Sequence, residues 1–169
     1  EGNMNENISV SSQDEIGQVL SGLAAMQGKL KILISDLDQL ARTDELTGAW
    51  NRRRFEETVE TEMDRLRKYG QRLSLMILDV DNFKKINDLY GHSIGDQVLI
   101  DLSNTIRSSL RVSDSLTRWG GEEFIILCPN TTAETVSKLA ERLRKEVSSI
   151  EFQKVGNITL SFGVAECGA

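Results

Sequence analysis

Acidic residues stand at two places in this chain where apolar runs begin or end. Residues 120–123 read G-G-E-E and open directly onto F-I-I-L-C, while L-S-L-M-I-L at 73–78 ends in D-V-D-N-F-K-K-I-N-D. Burying an unpaired carboxylate is costly, so acids at the mouth of a core need a partner that offsets their charge. Asp79 projects from the end of one strand, and the turn Gly120-Gly121 delivers Glu122 and Glu123 from a second element. If those strands are neighbours, Asp79 and Glu122 meet at one sheet edge. Oxygen ligands of this kind suit Mg²⁺, which takes one or two carboxylates and completes its shell with substrate phosphates. Metal-bound phosphates beside a carboxylate and an attacking hydroxyl are the requirements of nucleotidyl transfer.

D-V-D-N also resembles the start of a calcium-binding EF-hand loop. That reading fails at the sixth loop position, where Lys84 replaces glycine, and at the twelfth, where Tyr90 replaces glutamate. Lys84 and Lys85 follow closely enough for one of them to meet phosphate oxygens as a point charge, or both are solvated surface residues. Asn87 and Asp96 together match the polar edge of guanine: the carboxylate accepts from ring and amino N–H groups, and the amide bonds the remaining edge. His92 is the single histidine, and its position alone fits a loop residue better than a catalyst.

A net charge of -6 over 169 residues excludes a general nucleic-acid binder, because no Lys/Arg stripe is present to neutralise a phosphate backbone. A phosphate ligand therefore requires a divalent cation as a bridge. With 39% hydrophobic and 27% charged residues the composition is that of an ordinary globular protein. Cys128 and Cys167 lack metal-ligand spacing and read as small packed hydrophobes of a reducing compartment. No run approaches the ~18 apolar residues of a membrane span, and no leader is visible, so the chain as given is expected to be cytoplasmic.

Two regions must position these groups. In residues 1–42, Ile16, Val19, Leu23, Met26, Leu30, Leu33, Leu37 and Leu40 alternate spacings of three and four, a heptad seam of roughly 37 Å. It reads as a parallel coiled coil and hence a homodimer; the alternative is one amphipathic helix lying on its own domain. In residues 43–169 the spacing predicts a helix over 52–69, a strand over 73–78, and short and longer helices over 83–89 and 94–110. A hairpin follows over 116–128, then a helix over 133–150 and an alternating strand over 158–164. The order β-α-α-β-β-α-β predicts an α/β (α+β) sandwich with helices packed on a mixed sheet.

Three motifs, D-E-L-T-G-A-W-N-R-R at 44–53, D-V-D-N-F-K-K-I-N-D-L-Y-G-H-S-I-G-D at 79–96 and G-G-E-E-F at 120–124, together resemble the GGDEF family of diguanylate cyclases in order and spacing. The likeness covers roughly residues 43 to 166. It implies a polymerase-palm, adenylate-cyclase-like ferredoxin-type fold and the condensation of two GTP into cyclic di-GMP with release of pyrophosphate. By that resemblance Asp79, Glu122 and the backbone carbonyl of Val80 hold Mg²⁺ or Mn²⁺, with Glu123 in the same set. Glu122 also serves as general base on the 3′-hydroxyl, and Lys84 stabilises the transferring phosphoryl group. Phe83, Asn87, His92 and Asp96 contact the guanosine part, and Gly120 and Gly121 let phosphate approach the backbone.

Residues 111–114, R-V-S-D, lie at the offset of the family's product-inhibition site. The resemblance assigns Arg111 and Asp114 to bound cyclic di-GMP, with Arg118 contributing from the adjacent strand; a plain surface Arg–Asp pair is the alternative. One GTP per domain means that ring closure needs two domains face to face, which the seam supplies. S-S-Q-D-E-I-G-Q-V-L at 11–20 resembles the second helix of a HAMP signalling module through Asp14, Glu15 and Gly17, which implies a parent protein anchored upstream in the inner membrane. The family pattern also continues past Ala169 with a further helix and strand. The rival function is a catalytically silent module that binds cyclic di-GMP or GTP.

Overall fold

The computed structural model describes residues 15–40 and 42–167, with side chains over 17–34 and 42–167, and divides at Ala41 into two units. The first holds helix α1 (Glu15–Leu40), 26 residues without interruption. Of the heptad positions, Val19, Leu23, Met26, Leu30 and Leu33 are between 45% and 70% exposed. The side chains of Ile16, Leu37 and Leu40 lie outside the described residues, as does Asp14 of the HAMP-like segment, whereas Glu15 and Gly17 fall in the first turn of α1. No described helix is long and apolar enough to cross a membrane.

The second unit runs α2 (Arg52–Tyr69), β1 (Leu73–Val80), α3 (Phe83–Tyr90), α4 (His92–Ser109), β2 (Ser115–Gly120), β3 (Glu123–Pro129), α5 (Ala133–Ser149) and β4 (Leu160–Cys167). Helix α2 starts where Asn51 accepts a hydrogen bond from the Arg54 N–H at 3.0 Å. It stops at Gly70, whose φ of 64° suits a residue without Cβ and sends its N–H back to the Leu66 carbonyl. Thr132 caps α5 in the same way, accepting from Thr135 N–H.

The four strands are ordered β2-β3-β1-β4 and each neighbouring pair is antiparallel. The expected mixed sheet is thus corrected. With β1 seated between β3 and β4, no two strands of like direction touch, and the one parallel pairing among the described residues is the isolated bridge of Trp50 to Thr117. Strand alternation divides the core. Met76, Leu78, Val80, Phe124, Ile126 and Cys128 pack with α3, α4 and α5, while Leu73, Leu75, Ile125 and Leu127 pack with Phe55 and Leu66 of α2. The α2 cover does not reach the far end of β1, where Ile77 is 47% exposed. Asp79 follows it on that same open face.

Candidate functional site

Strand β1 extends two residues beyond the apolar run, so Asp79 lies within the sheet, opposite Glu123 on β3 and Ser161 on β4. Antiparallel pairing puts the side chains of directly opposed residues on one face. The hairpin is tighter than the glycine pair implied: Gly120 pairs with Glu123, leaving Gly121 and Glu122 as the two-residue connection. A bulge at Trp119 precedes it, and that ring meets Phe55 edge-on at 5.6 Å with the Arg52 guanidinium 4.4 Å from its centre. Neither Gly120 nor Gly121 takes a left-handed φ, and a Cβ on Gly121 would meet nothing within 4 Å. The fold itself places no steric demand for glycine at 121.

The electrostatics of this face are lopsided. Burial, and then the nearby charges of Glu122, Glu123 and Asp81, push the Asp79 carboxyl above its ordinary pKa. Asp81 goes the other way. Its two oxygens accept from Ser161 Oγ at 2.7 Å and Thr159 Oγ1 at 2.6 Å, and these bonds hold its pKa down against burial. Among the described residues no three histidine, cysteine or acidic side chains are grouped so as to hold a metal ion by themselves. Two carboxylates and a carbonyl are the open oxygen set that Mg²⁺ takes when phosphates and water fill the remaining positions.

Helices α3 and α4 bring the other predicted residues to this end of β1. Lys85 Nζ donates to Asn82 Oδ1 at 2.7 Å, whereas Lys84 is exposed and makes no hydrogen bond or ion pair among the described residues. The structure thereby separates two lysines that spacing left equivalent. Asn87 Oδ1 is buried without a hydrogen-bond partner among the described residues, beside Gly95 and the ring of Phe83. A Cβ at position 95 would overlap that amide oxygen, so glycine there is what lets α4 close on Asn87. His92 and Asp96 are exposed on the first turns of α4.

Arg111 and Asp114 sit in the connection between α4 and β2. The Asp114 carboxylate accepts from the Arg111 backbone N–H at 3.1 Å, which leaves the Arg111 guanidinium without an ion pair among the described residues. Both line a cavity of about 340 Å³ whose opposite wall, on α5, carries Lys138 and Arg142. No local spacing in the sequence marks Arg142; its membership comes from packing, 28 positions along the chain from Asp114. Arg118 points elsewhere. Its Nη1 lies 3.1 and 3.3 Å from the two oxygens of Asp44, and its Nε and Nη2 donate to the Gly121 carbonyl at 3.0 and 2.8 Å.

Residues 41–168 match the family model described as diguanylate cyclase, GGDEF domain. The chain is 42% identical over 135 residues to diguanylate cyclase DgcM of Escherichia coli K12, covering 80% of this chain and 33% of that protein. It is 39% identical over 132 residues to the response regulator PleD of Caulobacter vibrioides, covering 75% and 29%. The chain therefore spans about a third or less of these curated relatives. Among solved structures, the coiled coil and GGDEF domain of DgcB from Caulobacter crescentus in complex with c-di-GMP superposes with a TM-score of 0.83 at 29% identity, covering 91% of this chain and 84% of that one. The active GGEEF domain of a Vibrio cholerae diguanylate cyclase gives a TM-score of 0.67 at 37% identity, covering 70% and 77%. On the family match, the identities and the shared fold, this chain belongs to the GGDEF family of diguanylate cyclase domains.

Proposed function

We propose that this domain condenses two GTP into cyclic di-GMP. The observation that carries the reading is the acidic face: Asp79, raised in pKa by burial, with the charges of Glu122, Glu123 and Asp81 near it; Lys84, on the helix that follows β1, has no hydrogen bond or ion pair among the described residues, and Gly121 is a glycine the fold does not require. Acids pressed together in this way lower their mutual repulsion when a cation enters. Asp79, Glu122 and the Val80 carbonyl would hold Mg²⁺ or Mn²⁺, with Glu123 at the rim. Bound there, the ion neutralises charge on the triphosphate and favours ionisation of the attacking hydroxyl.

The residues divide the remaining work. Asn87, with its buried unpaired oxygen, Asp96, Phe83 and His92 seat the guanosine, and Lys84 meets the phosphate chain. Gly120 and Gly121 admit the phosphates close to backbone N–H groups. Glu122 takes the proton as the 3′-oxygen of one GTP attacks the α-phosphorus of the other; the bond to pyrophosphate breaks, and a second round with roles exchanged closes the ring. The two nucleotides come from two copies, joined along the exposed stripe of α1. A monomer in sedimentation at micromolar concentration would contradict that dimer.

Product binding in the cavity of Arg111 and Asp114, with Arg142 opposite, supplies inhibition. The same cavity favours a second reading, a domain that binds cyclic di-GMP without making it. Incubation with GTP and Mg²⁺, with mass spectrometry for cyclic di-GMP, separates the two. Product from the wild type and none from Glu122→Gln supports the cyclase, whereas binding without product supports the module. Arg111→Ala relieves inhibition if the cavity is the regulatory site; unchanged inhibition removes that assignment.

A further inference from the structure

The guanidinium of Arg118 has all three nitrogens engaged, and its partners lie on two separate turns. Nε and Nη2 converge on one acceptor, the Gly121 carbonyl, at 3.0 and 2.8 Å. Nη1 faces Asp44 Oδ1 and Oδ2 at 3.1 and 3.3 Å, in a pair whose side chains are only 16% and 24% exposed. Asp44 is itself held. Its Oδ1 accepts from the Thr47 N–H at 2.9 Å and from Thr47 Oγ1 at 2.7 Å, and Gly48 N–H returns to its carbonyl at 2.9 Å. That turn is fixed to α4 through the Thr47 carbonyl, which accepts from Ser103 Oγ at 3.2 Å and Arg107 Nη2 at 3.1 Å. It is fixed to β2 through Trp50 N–H to the Leu116 carbonyl and Arg118 N–H to the Trp50 carbonyl, both 2.8 Å.

Gly121 immediately precedes Glu122, and its carbonyl shares one planar trans peptide unit with the Glu122 N–H. Gripping that oxygen therefore orients the peptide plane from which Glu122 departs and points the Glu122 N–H away from Arg118. The connection is exposed at Gly121, where an added Cβ would meet nothing within 4 Å. A planar fork engaging three acceptor oxygens at once is within reach of arginine and not of lysine.

We propose that Arg118 is a positioning residue for catalysis. Anchored by Asp44, it fixes the Gly121–Glu122 peptide and with it the carboxylate of Glu122; it belongs to the catalytic turn and not to the product cavity. The proposal rests on the cyclase reading above for its kinetic consequence, and on the geometry alone for its structural one.

Both are tested on the whole chain with Arg118→Lys and Asp44→Asn. Asn at 44 still accepts from Thr47 while losing the charge that faces Arg118. The expected result is a fall in kcat of about 10- to 100-fold, as for a small misplacement of a reacting group, with KM for GTP and the inhibition constant of added cyclic di-GMP each within about twofold. Amide hydrogen exchange over residues 119–123 accelerates in both variants while the core strands keep their protection. Unchanged exchange over 119–123 overturns the proposal, as does a loss carried by KM or a selective loss of product inhibition. If the wild type makes no cyclic di-GMP, the cyclase reading fails and the exchange measurement still decides whether Arg118 holds the turn. If Arg118→Lys does not fold, Asp44→Asn decides.

Discussion

Asp79 and Asp81 are separated by one residue at the end of β1, and their carboxyls are displaced in opposite directions. Asp81 ties β1 to β4: its backbone N–H donates to the Thr159 carbonyl at 3.0 Å, and its side chain takes the hydroxyls of Thr159 and Ser161. Every interaction favours its ionised form except burial. Asp79 has no such help. It is buried further, and the charges that reach it are those of three other acids. One acid has its counterparts in the fold and the other has them outside it. On the proposed reading, a carboxylate kept poorly satisfied beside its like receives a cation, whereas a satisfied one is a fastening.

Replacement of each acid by its amide separates the two roles most sharply. Asp79→Asn is expected to lower GTP turnover by about 10²–10³-fold, the scale for losing one group that stabilises developing charge, measured as cyclic di-GMP formed per time. Asp81→Asn should retain most of its turnover; equal losses in the two variants would erase the distinction. In stability the order reverses. Asp81→Asn weakens two charge-assisted hydrogen bonds and should cost about 1 kcal/mol, discounted for partial exposure, read from urea or thermal unfolding. Asp79→Asn should leave Tm unchanged or raise it by about 1–2 °C at neutral pH.

The smallest effect is the pH dependence. The folded chain holds the Asp79 proton more tightly than the unfolded chain does, so ionised Asp79 costs stability above its raised pKa. That cost disappears as pH falls through the raised value toward the ordinary carboxylate range. Asp81 contributes fully above the ordinary carboxylate pKa of about 3.9 and loses its contribution as pH falls through its lowered value. The advantage of Asp79→Asn over wild type should therefore shrink on mild acidification, and the deficit of Asp81→Asn should shrink only at lower pH. A common pH midpoint for both would contradict the opposed shifts.

Much of this was legible in the chain because it is written locally. The predicted helix over 52–69 matches α2, whose apolar positions recur on one face, and the short apolar runs that become β1 and β3 set Asp79 and Glu123 at or near strand ends. The illegible part depends on contacts distant in sequence. Asp81 meets partners 78 and 80 residues away, and Arg118 meets Asp44 across 74. The resemblance groups Arg118 with Arg111 and Asp114, whereas its hydrogen bonds go to Asp44 and Gly121, and Arg142 on α5 lines the cavity. The direction of the sheet escaped the same way, since helices between strands fix the number of crossings but not which strand occupies the middle.

Gly95 shows how a vacancy the size of one methyl group can carry information. The amide of Asn87 rests where a side chain on the next helix would otherwise stand. A single added carbon at position 95 would act as a tethered competitor for the space that the Asn87 amide oxygen occupies. On the proposed reading, guanine recognition is thus guarded from behind as well as from the front, by an atom this chain leaves out.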